Sequence, residues 1–344
     1  MQKKLTRIAA AVAMVGALVA TSVVAPASAA PSIKAGLKIA IMPKAVNIGY
    51  FTAWNKGAQA ACKEIKAKCT YLGPTEATGP AQVQFINKII QQKYDVLVIS
   101  AADQNAVVPS LKKAQKAGIT IVTSDADVAT ASASARLVAV LPAESSRIGT
   151  AEVDWIAEAT GSKGSVAILT PANAANQTAW IAAMGPYLTK KYPNMSWAGG
   201  SLEKATFFAN DPTTSAAAFA AILAQYPDVA GIISPTTIGV LAAAVEKKAK
   251  GAKVKVTGLG LPSEMAPYIE DGTVEKVGLW NPIDLGYVAV YAAALGKSKS
   301  FTGKTGESFT AGKKTYKVTK GGIVYLGDPF TFTKSNIATF KKIY

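Results

Sequence analysis

Two hydrophobic rhythms alternate along most of this chain. Short runs rich in Val, Ile and Leu cover residues 37–42, 68–72, 95–100, 119–124 and 137–141. Between them, apolar residues recur at helical spacing over 50–66, 80–92, 105–117 and 144–159. The first kind predicts strands and the second predicts amphipathic helices that cover them. The alternation resumes with strands at 165–170, 195–199, 229–234 and 253–258 and helices at 177–191, 212–225 and 239–250. Such alternation implies parallel sheets with right-handed crossovers. Two series imply an α/β fold of two similar, doubly wound parallel-sheet lobes.

The last third departs from this rhythm. A further strand and helix, 273–280 and 283–294, precede a Lys/Gly/Thr-rich stretch over 297–322 that predicts an exposed hairpin. A strand and a short helix are expected over 323–344. No low-complexity linker separates the lobes. The expected boundaries are 31–141 with 260–325 for an N-terminal lobe and 142–259 with 326–344 for a C-terminal one. The crossings near Leu141 and 258–261 are then short hinges, suited to closure around a ligand.

Residues 1–30 carry a third pattern. Lys3, Lys4 and Arg7 precede an apolar run over 8–24 and the small residues Ala27-Ser28-Ala29, which predicts an export leader cleaved near Ala29 or Ala30. The run, about 17 residues, is at the lower limit for spanning a bilayer, and no basic cluster follows it. With no cysteine at the cleavage point, a released periplasmic or extracellular protein without a lipid anchor is expected. About 314 residues remain, enough for two domains with cores. The two cysteines, Cys62 and Cys69, predict one local disulfide in an oxidising compartment.

Charge and composition narrow the chemistry. The formal charge is +16, and removal of the three leader cations leaves +13. That excess is nearly all lysine, since only Arg136 and Arg147 remain, and lysine lacks the guanidinium fork used on bases and phosphates. The basic residues are scattered, so a solvated surface is expected and no nucleic acid partner. The chain has no histidine. Ser-His-Asp and Cys-His nucleophiles are therefore excluded, and two thiols without histidine are too few to hold zinc. Gly258-Leu259-Gly260 lacks the third glycine of a dinucleotide fingerprint, Ser263 standing there. No phosphate loop is present. No cofactor, metal or catalysis is expected.

Ligands of open parallel sheets bind beyond the carboxyl ends of the strands. Those ends carry Lys44, Asn47, Tyr50 and Phe51; then Asp125 and Asp127; then Asn173, Asn176 and Gln177. Pro235, Thr236 and Thr237 follow the next strand, and Trp280, Asn281 and Asp284 the last. Hydroxyl, amide and carboxylate groups beside aromatics are what a polyol needs: paired donors and acceptors for its hydroxyls and flat faces for its C–H surface. Several have a plainer reading. Asp125, Asn176, Thr236 and Thr237 also fit as helix caps, and Trp280 as core. Asp125 and Asp127, two residues apart in one loop, do not flank a scissile bond as a glycosidase pair does.

At these residues the chain resembles the sugar-binding proteins of ABC importers with the type I periplasmic-binding fold, the ribose-binding group. Within it the likeness is to the rhamnose-binding proteins and to relatives that bind the furanosyl signal autoinducer-2. The matching stretches are Met42-Pro43-Lys44, Gly49-Tyr50-Phe51, Gly73-Pro74-Thr75, 95–101, Thr123-Ser124-Asp125, and Asn176-Gln177 with Trp180. They continue with 234–242, 256–265, 279–287 and Asp328-Pro329-Phe330. The resemblance implies a monomer that holds a small sugar between its lobes and delivers it to a membrane permease. In the autoinducer-2 relatives it implies contacts at Lys44, Asp125, Asn176, Gln177, Pro235 and Thr237. Two positions depart from that pattern, which has aspartate at 176 and alanine at 237. Both departures look like the rhamnose type, so L-rhamnose is the expected ligand and autoinducer-2 or another pentose or hexose the alternative. A repressor of the same fold has a DNA-reading helix pair where this chain has its leader.

Overall fold

The computed structural model describes residues 32–171 and 174–344. The expected leader and Asn173 lie outside the described residues. Elements run first as β1 (Lys38–Met42), α1 (Gly49–Glu64), β2 (Lys68–Tyr71), α2 (Gly79–Gln91), β3 (Val96–Ile99), α3 (Val108–Lys116), β4 (Thr120–Ser124) and β5 (Val138–Leu141). Next come α4 (Ser145–Thr160), β6 (Gly164–Thr170), α5 (Ala175–Lys191), β7 (Met195–Trp197), α6 (Leu202–Ala205), β8 (Thr206–Phe208), α7 (Pro212–Gln225), β9 (Gly231–Ser234), α8 (Thr237–Lys250) and β10 (Lys255–Gly258). The chain ends with α9 (Pro262–Glu270), β11 (Lys276–Leu279), α10 (Pro282–Lys297), β12 (Ser308–Ala311), β13 (Lys314–Lys317), β14 (Ile323–Tyr325), β15 (Phe330–Thr333) and α11 (Ile337–Phe340).

These strands build two principal sheets. A six-stranded one has the order β14-β5-β4-β3-β1-β2, and every pairing in it is parallel. A five-stranded one has the order β10-β9-β6-β7, with β8 joining β6 beyond β7 on the same edge. Helices cover both faces, so the central strand β3 (Val-Leu-Val-Ile) is buried at every position. The edge strand β2 instead alternates exposed and half-buried residues. Two antiparallel ribbons, β11 with β15 and β12 with β13, complete the fold.

Several details differ from the sequence reading. The strand expected over 195–199 stops at Trp197, because Gly199 and Gly200 turn into left-handed backbone at φ +69° and +82°. β8, α6 and α9 were not expected; each is short, and α9 starts at a proline and holds a second, Pro267. The hairpin β12–β13 is there, but Phe309 and Tyr316 bury one face of it. The closing segment holds two strands, β14 and β15, in different sheets.

One crossing sets up the site. At Gly57 of α1 an added Cβ would lie 1.7 Å from the Ile283 carbonyl, and at Gly286 of α10 2.0 Å from the Trp54 carbonyl. Only glycine on each helix permits so close an approach. It brings the start of α1 beside the β11–α10 junction. The disulfide joins Cys62, near the end of α1, to Cys69 of β2, seven residues on. A loop that short contributes about 2–3 kcal/mol on a chain-entropy model.

Candidate functional site

Beyond Ser124, where β4 ends, Asp125 enters left-handed backbone at φ +68°. Aspartate tolerates that region better than most residues. The turn aims its carboxylate inward, leaving it 4 % exposed. Oδ1 accepts from the Tyr50 hydroxyl at 2.9 Å and Oδ2 from the Ser100 hydroxyl at 2.7 Å. The Lys44 ammonium lies 3.8 Å from Oδ2. The Tyr50 oxygen in turn accepts from the Trp280 indole N–H at 2.7 Å. One run of polar contacts thus ties the ends of β1, β3, β4 and β11 to the first turn of α1.

Lys44 also reaches the other sheet. Its Nζ donates to Asn176 Oδ1 at 3.2 Å and Gln177 Oε1 at 3.4 Å, both on the first turn of α5. Gln177 Nε2 donates to the Pro235 carbonyl at 3.1 Å, joining the ends of β6 and β9. The capping readings do not describe these residues. Ala174 occupies the cap position of α5, and Thr236 at the cap of α8 makes no side-chain capping bond.

Burial governs the titration of this cluster. It lowers the Lys44 pKa, and the charge of Asp125 opposes that shift. For Tyr50, burial first and then the charge of Asp125 raise the pKa well above the ordinary value. The phenol therefore stays a neutral donor to the carboxylate across the working pH range.

These groups enclose a cavity of about 70 Å³. At roughly 10–15 Å³ per water, that is room for about five water-sized groups, the scale of one small ring. Phe51, Trp180, Trp280, Ile238, Leu259 and Leu279 provide its apolar lining. The Trp180 and Trp280 rings meet edge to face, 5.7 Å between centroids. Among the described residues lining the cavity, Asp125 is the single carboxylate. A hydroxyl-rich, uncharged ring with one apolar side matches this lining.

Of the residues singled out by sequence, Lys44, Tyr50, Phe51, Asp125, Asn176, Gln177, Pro235, Thr236, Thr237 and Trp280 all line the cavity. Four others do not. Asn47 is exposed and faces a neighbouring groove of about 740 Å³. Asp127 is held by Arg136 through two hydrogen bonds of 2.7 and 2.6 Å, and Arg136 also donates to the carbonyls of Gly321 and Gly322. It is a staple between the β4–β5 connection and the turn before β14. Asn281 caps α10, accepting from the Ile283 N–H at 3.0 Å. Asp284 is exposed on the first turn of α10, and partial desolvation of its carboxyl raises its pKa, with Asn281 and Lys314 opposing.

Sequence reasoning passed over Ser100, Asn210 and the small residues Ala77 and Ala102. Ser100 stands at a strand end like the others and carried that signal. Asn210 follows β8, a strand that was not expected. Trp180 entered as part of a motif; it stands one helical turn beyond Gln177 and also lines the cavity.

With this geometry in view, comparison with known proteins decides the family. A model of the periplasmic binding protein domain matches residues 39–297. The chain belongs to the periplasmic binding protein family. Its fold is close to that of an ABC transporter solute binding protein from Clostridium phytofermentas, solved with bound L-rhamnose. That likeness has a TM-score of 0.84 and 33% identity, over 90% of this chain and 100% of the other. LsrB from Clostridium saccharobutylicum, in complex with AI-2, matches at TM-score 0.81 and 24% identity over 88% and 99% of the two chains. At that identity the likeness concerns the fold alone. A curated relative, the D-ribose/D-allose-binding protein of Pseudomonas aeruginosa, is 26% identical over 248 residues, 69% of this chain and 75% of its own length. This periplasmic binding protein is thus a sugar-binding component of an ABC importer, not an enzyme. Its partners are a small sugar and a membrane permease. Such proteins work outside the cytoplasm.

Proposed function

We propose that this periplasmic binding protein captures L-rhamnose in the cavity between the two sheets and presents it to its permease. The observation that carries the reading is the division of the cavity lining. Lys44 and Asp125 form a charged corner, Asn176, Gln177 and Thr237 a neutral polar wall, and Phe51, Trp180 and Trp280 an apolar side. A 6-deoxyhexose has both faces this lining asks for, vicinal hydroxyls and a methyl group. Lys44 donates to ring or hydroxyl oxygens, Asp125 accepts from two hydroxyls, and Asn176 and Gln177 turn from Lys44 to the sugar. Trp280 and Phe51 cover the methyl edge. Tyr50 contributes mainly by holding Asp125, since its hydroxyl is already engaged as donor and acceptor.

The lobe on the six-stranded sheet is 31–141 with 280–325, and the other is 142–279 with 326–344. The division does not fall at 260, as the sequence suggested, because β11 pairs with β15 and bridges to Leu259 beyond β10. The sugar spans the two. Closure is favoured by the difference in affinity between closed and open forms. The fold likeness to an AI-2-bound protein keeps autoinducer-2 as the second reading. The neutral amide at Asn176, in place of a carboxylate, argues against it, because it removes an acceptor that a densely hydroxylated ligand uses.

Calorimetric titration with L-rhamnose, D-ribose, D-allose and autoinducer-2 tests the proposal, with Asp125→Ala as the control. L-Rhamnose is expected to bind tightest and to lose its affinity in the variant. Unaltered affinity in Asp125→Ala removes the site, and tighter binding of autoinducer-2 reverses the ligand order.

A further inference from the structure

The lysines of this protein are not evenly neutralised. In the half built on the five-stranded sheet, Lys191, Lys248, Lys250, Lys255 and Lys276 are each paired with a carboxylate. In the other half, the amino-terminal edge of the six-stranded sheet carries exposed Lys34, Lys66, Lys68, Lys93, Lys116 and Lys299. None of these six side chains has an ion pair or hydrogen bond among the described residues, and the one ion pair at that edge is Lys297 with Asp95, at 3.7 Å.

The six form one continuous surface. Lys68 is the register partner of Lys38 on the neighbouring strand, and the Lys66 carbonyl accepts from the Gly36 N–H. Lys38 donates to the Gln92 carbonyl beside Lys93. Lys297 donates to the Gly118 carbonyl two residues beyond Lys116, and the Lys34 N–H donates to Ser298 beside Lys299. At about 4.8 Å per strand, β2, β1, β3 and β4 alone span roughly 15 Å of this edge.

Three of these lysines occupy positions that usually go to another residue. Lys66, Lys93 and Lys299 directly follow the C-caps of α1, α2 and α10, and they take left-handed backbone at φ +54°, +52° and +61°. Glycine adopts that conformation without steric cost and is the common choice there. The ends of α3, α4 and α8 do use glycine, at Gly118, Gly161 and Gly251. Lysine thus stands at three helix ends where glycine is easier to accommodate, all on one edge and all without an anionic partner.

We propose that this edge is a docking surface for an anionic lipid bilayer, holding the protein electrostatically beside the membrane that contains its permease. The patch has no exposed large hydrophobic residue; Phe208, Val245, Phe330 and Ile343 all lie elsewhere. Binding is therefore adsorption to headgroups without insertion, and it weakens with salt. The cavity opens at the opposite, carboxyl end of the same strands, so the adsorbed protein keeps its ligand site free.

The test is co-sedimentation with vesicles of equal parts phosphatidylglycerol and phosphatidylcholine, and with pure phosphatidylcholine, at low and at high salt. Binding is expected to the anionic vesicles alone and to be lost at high salt. The triple variant Lys66→Gly, Lys93→Gly, Lys299→Gly should bind about a hundredfold more weakly, roughly fivefold per lysine. Its melting temperature should hold or rise, because glycine suits all three backbones, which separates lost docking from lost folding. The charge-matched variant Lys163→Gln, Lys190→Gln, Lys253→Gln in the other half should bind nearly as well as the parent. Equal losses in the two triples reduce the effect to net charge and overturn the proposal. So does an absence of vesicle binding, or capture by soluble polyphosphate alone, which points to a polymer instead of a bilayer.

Discussion

Among the described residues each half of the molecule buries one carboxylate, and the two are treated in opposite ways. Asp125, at the end of a strand in the six-stranded sheet, is gripped by Tyr50 and Ser100 with Lys44 close by. Glu152, on α4 of the other half, is 0 % exposed, and neither of its oxygens has a partner. Burial alone raises its pKa well above the ordinary 4.5. A buried acid without partners is kept neutral, since the charged form is too costly there. A buried acid ringed by donors and a cation is instead held in a fixed orientation at the cavity wall. Burial by itself therefore does not mark a site; the partners do. The same contrast separates the walls of the cavity, one holding a cation and an anion, the other only amides, hydroxyls and a carbonyl.

Removal of the partnered carboxylate should have the largest effect. Asp125→Ala leaves Lys44 buried beside no anion, a change that costs about 3–5 kcal/mol in comparable buried pairs. Sugar affinity measured by calorimetry should fall at least about a hundredfold, and a loss below tenfold breaks the contrast between the walls. On the neutral wall, Asn176→Ala and Gln177→Ala each remove one uncharged hydrogen-bonding group worth about 1–1.5 kcal/mol, so about five- to tenfold in Kd. If either matched Asp125→Ala, the walls would be equivalent. Ser100→Ala should cost a few-fold while leaving the ligand order unchanged, because Ser100 orients Asp125 and does not line the cavity.

The unpartnered acid makes the smallest and most separable prediction. Its folded pKa is raised, so the native state holds this proton more tightly than the unfolded chain does. Stability from Glu152 is fully present below about pH 4.5 and declines as pH rises above that value toward the folded pKa. Glu152→Met should raise the melting temperature at neutral pH by about 2–4 °C for each kcal/mol gained and flatten its fall with pH. Sugar affinity should not change. A melting temperature lowered by the substitution shows that Glu152 has a partner after all.

Much of this was readable in the residues. Parallel alternation located the carboxyl edges, and ten side chains expected there share one cavity. The misses have physical causes. Asp127 looks like Asp125 in sequence, yet Arg136 nine residues away claims it. That capture depends on folding, as do the carbonyls of Gly321 and Gly322 that hold the arginine. Asn281 shows the converse, a polar residue at the right edge consumed by the helix it starts. Ser100 was overlooked because a serine at a strand end has no charge or periodicity to set it apart. Its role comes only from the turn that swings Asp125 toward it. Glu152 could not be told from any polar position on an amphipathic helix until its burial was known.

A crystal structure of the protein grown with L-rhamnose is the most direct measurement. The sugar should lie in the cavity with oxygens within hydrogen-bonding distance of Lys44 and Asp125 on one side and of Asn176 or Gln177 on the other, its methyl group against Trp280 or Phe51. A sugar seated in the outer groove by Asn47, or touching residues of one sheet only, contradicts it.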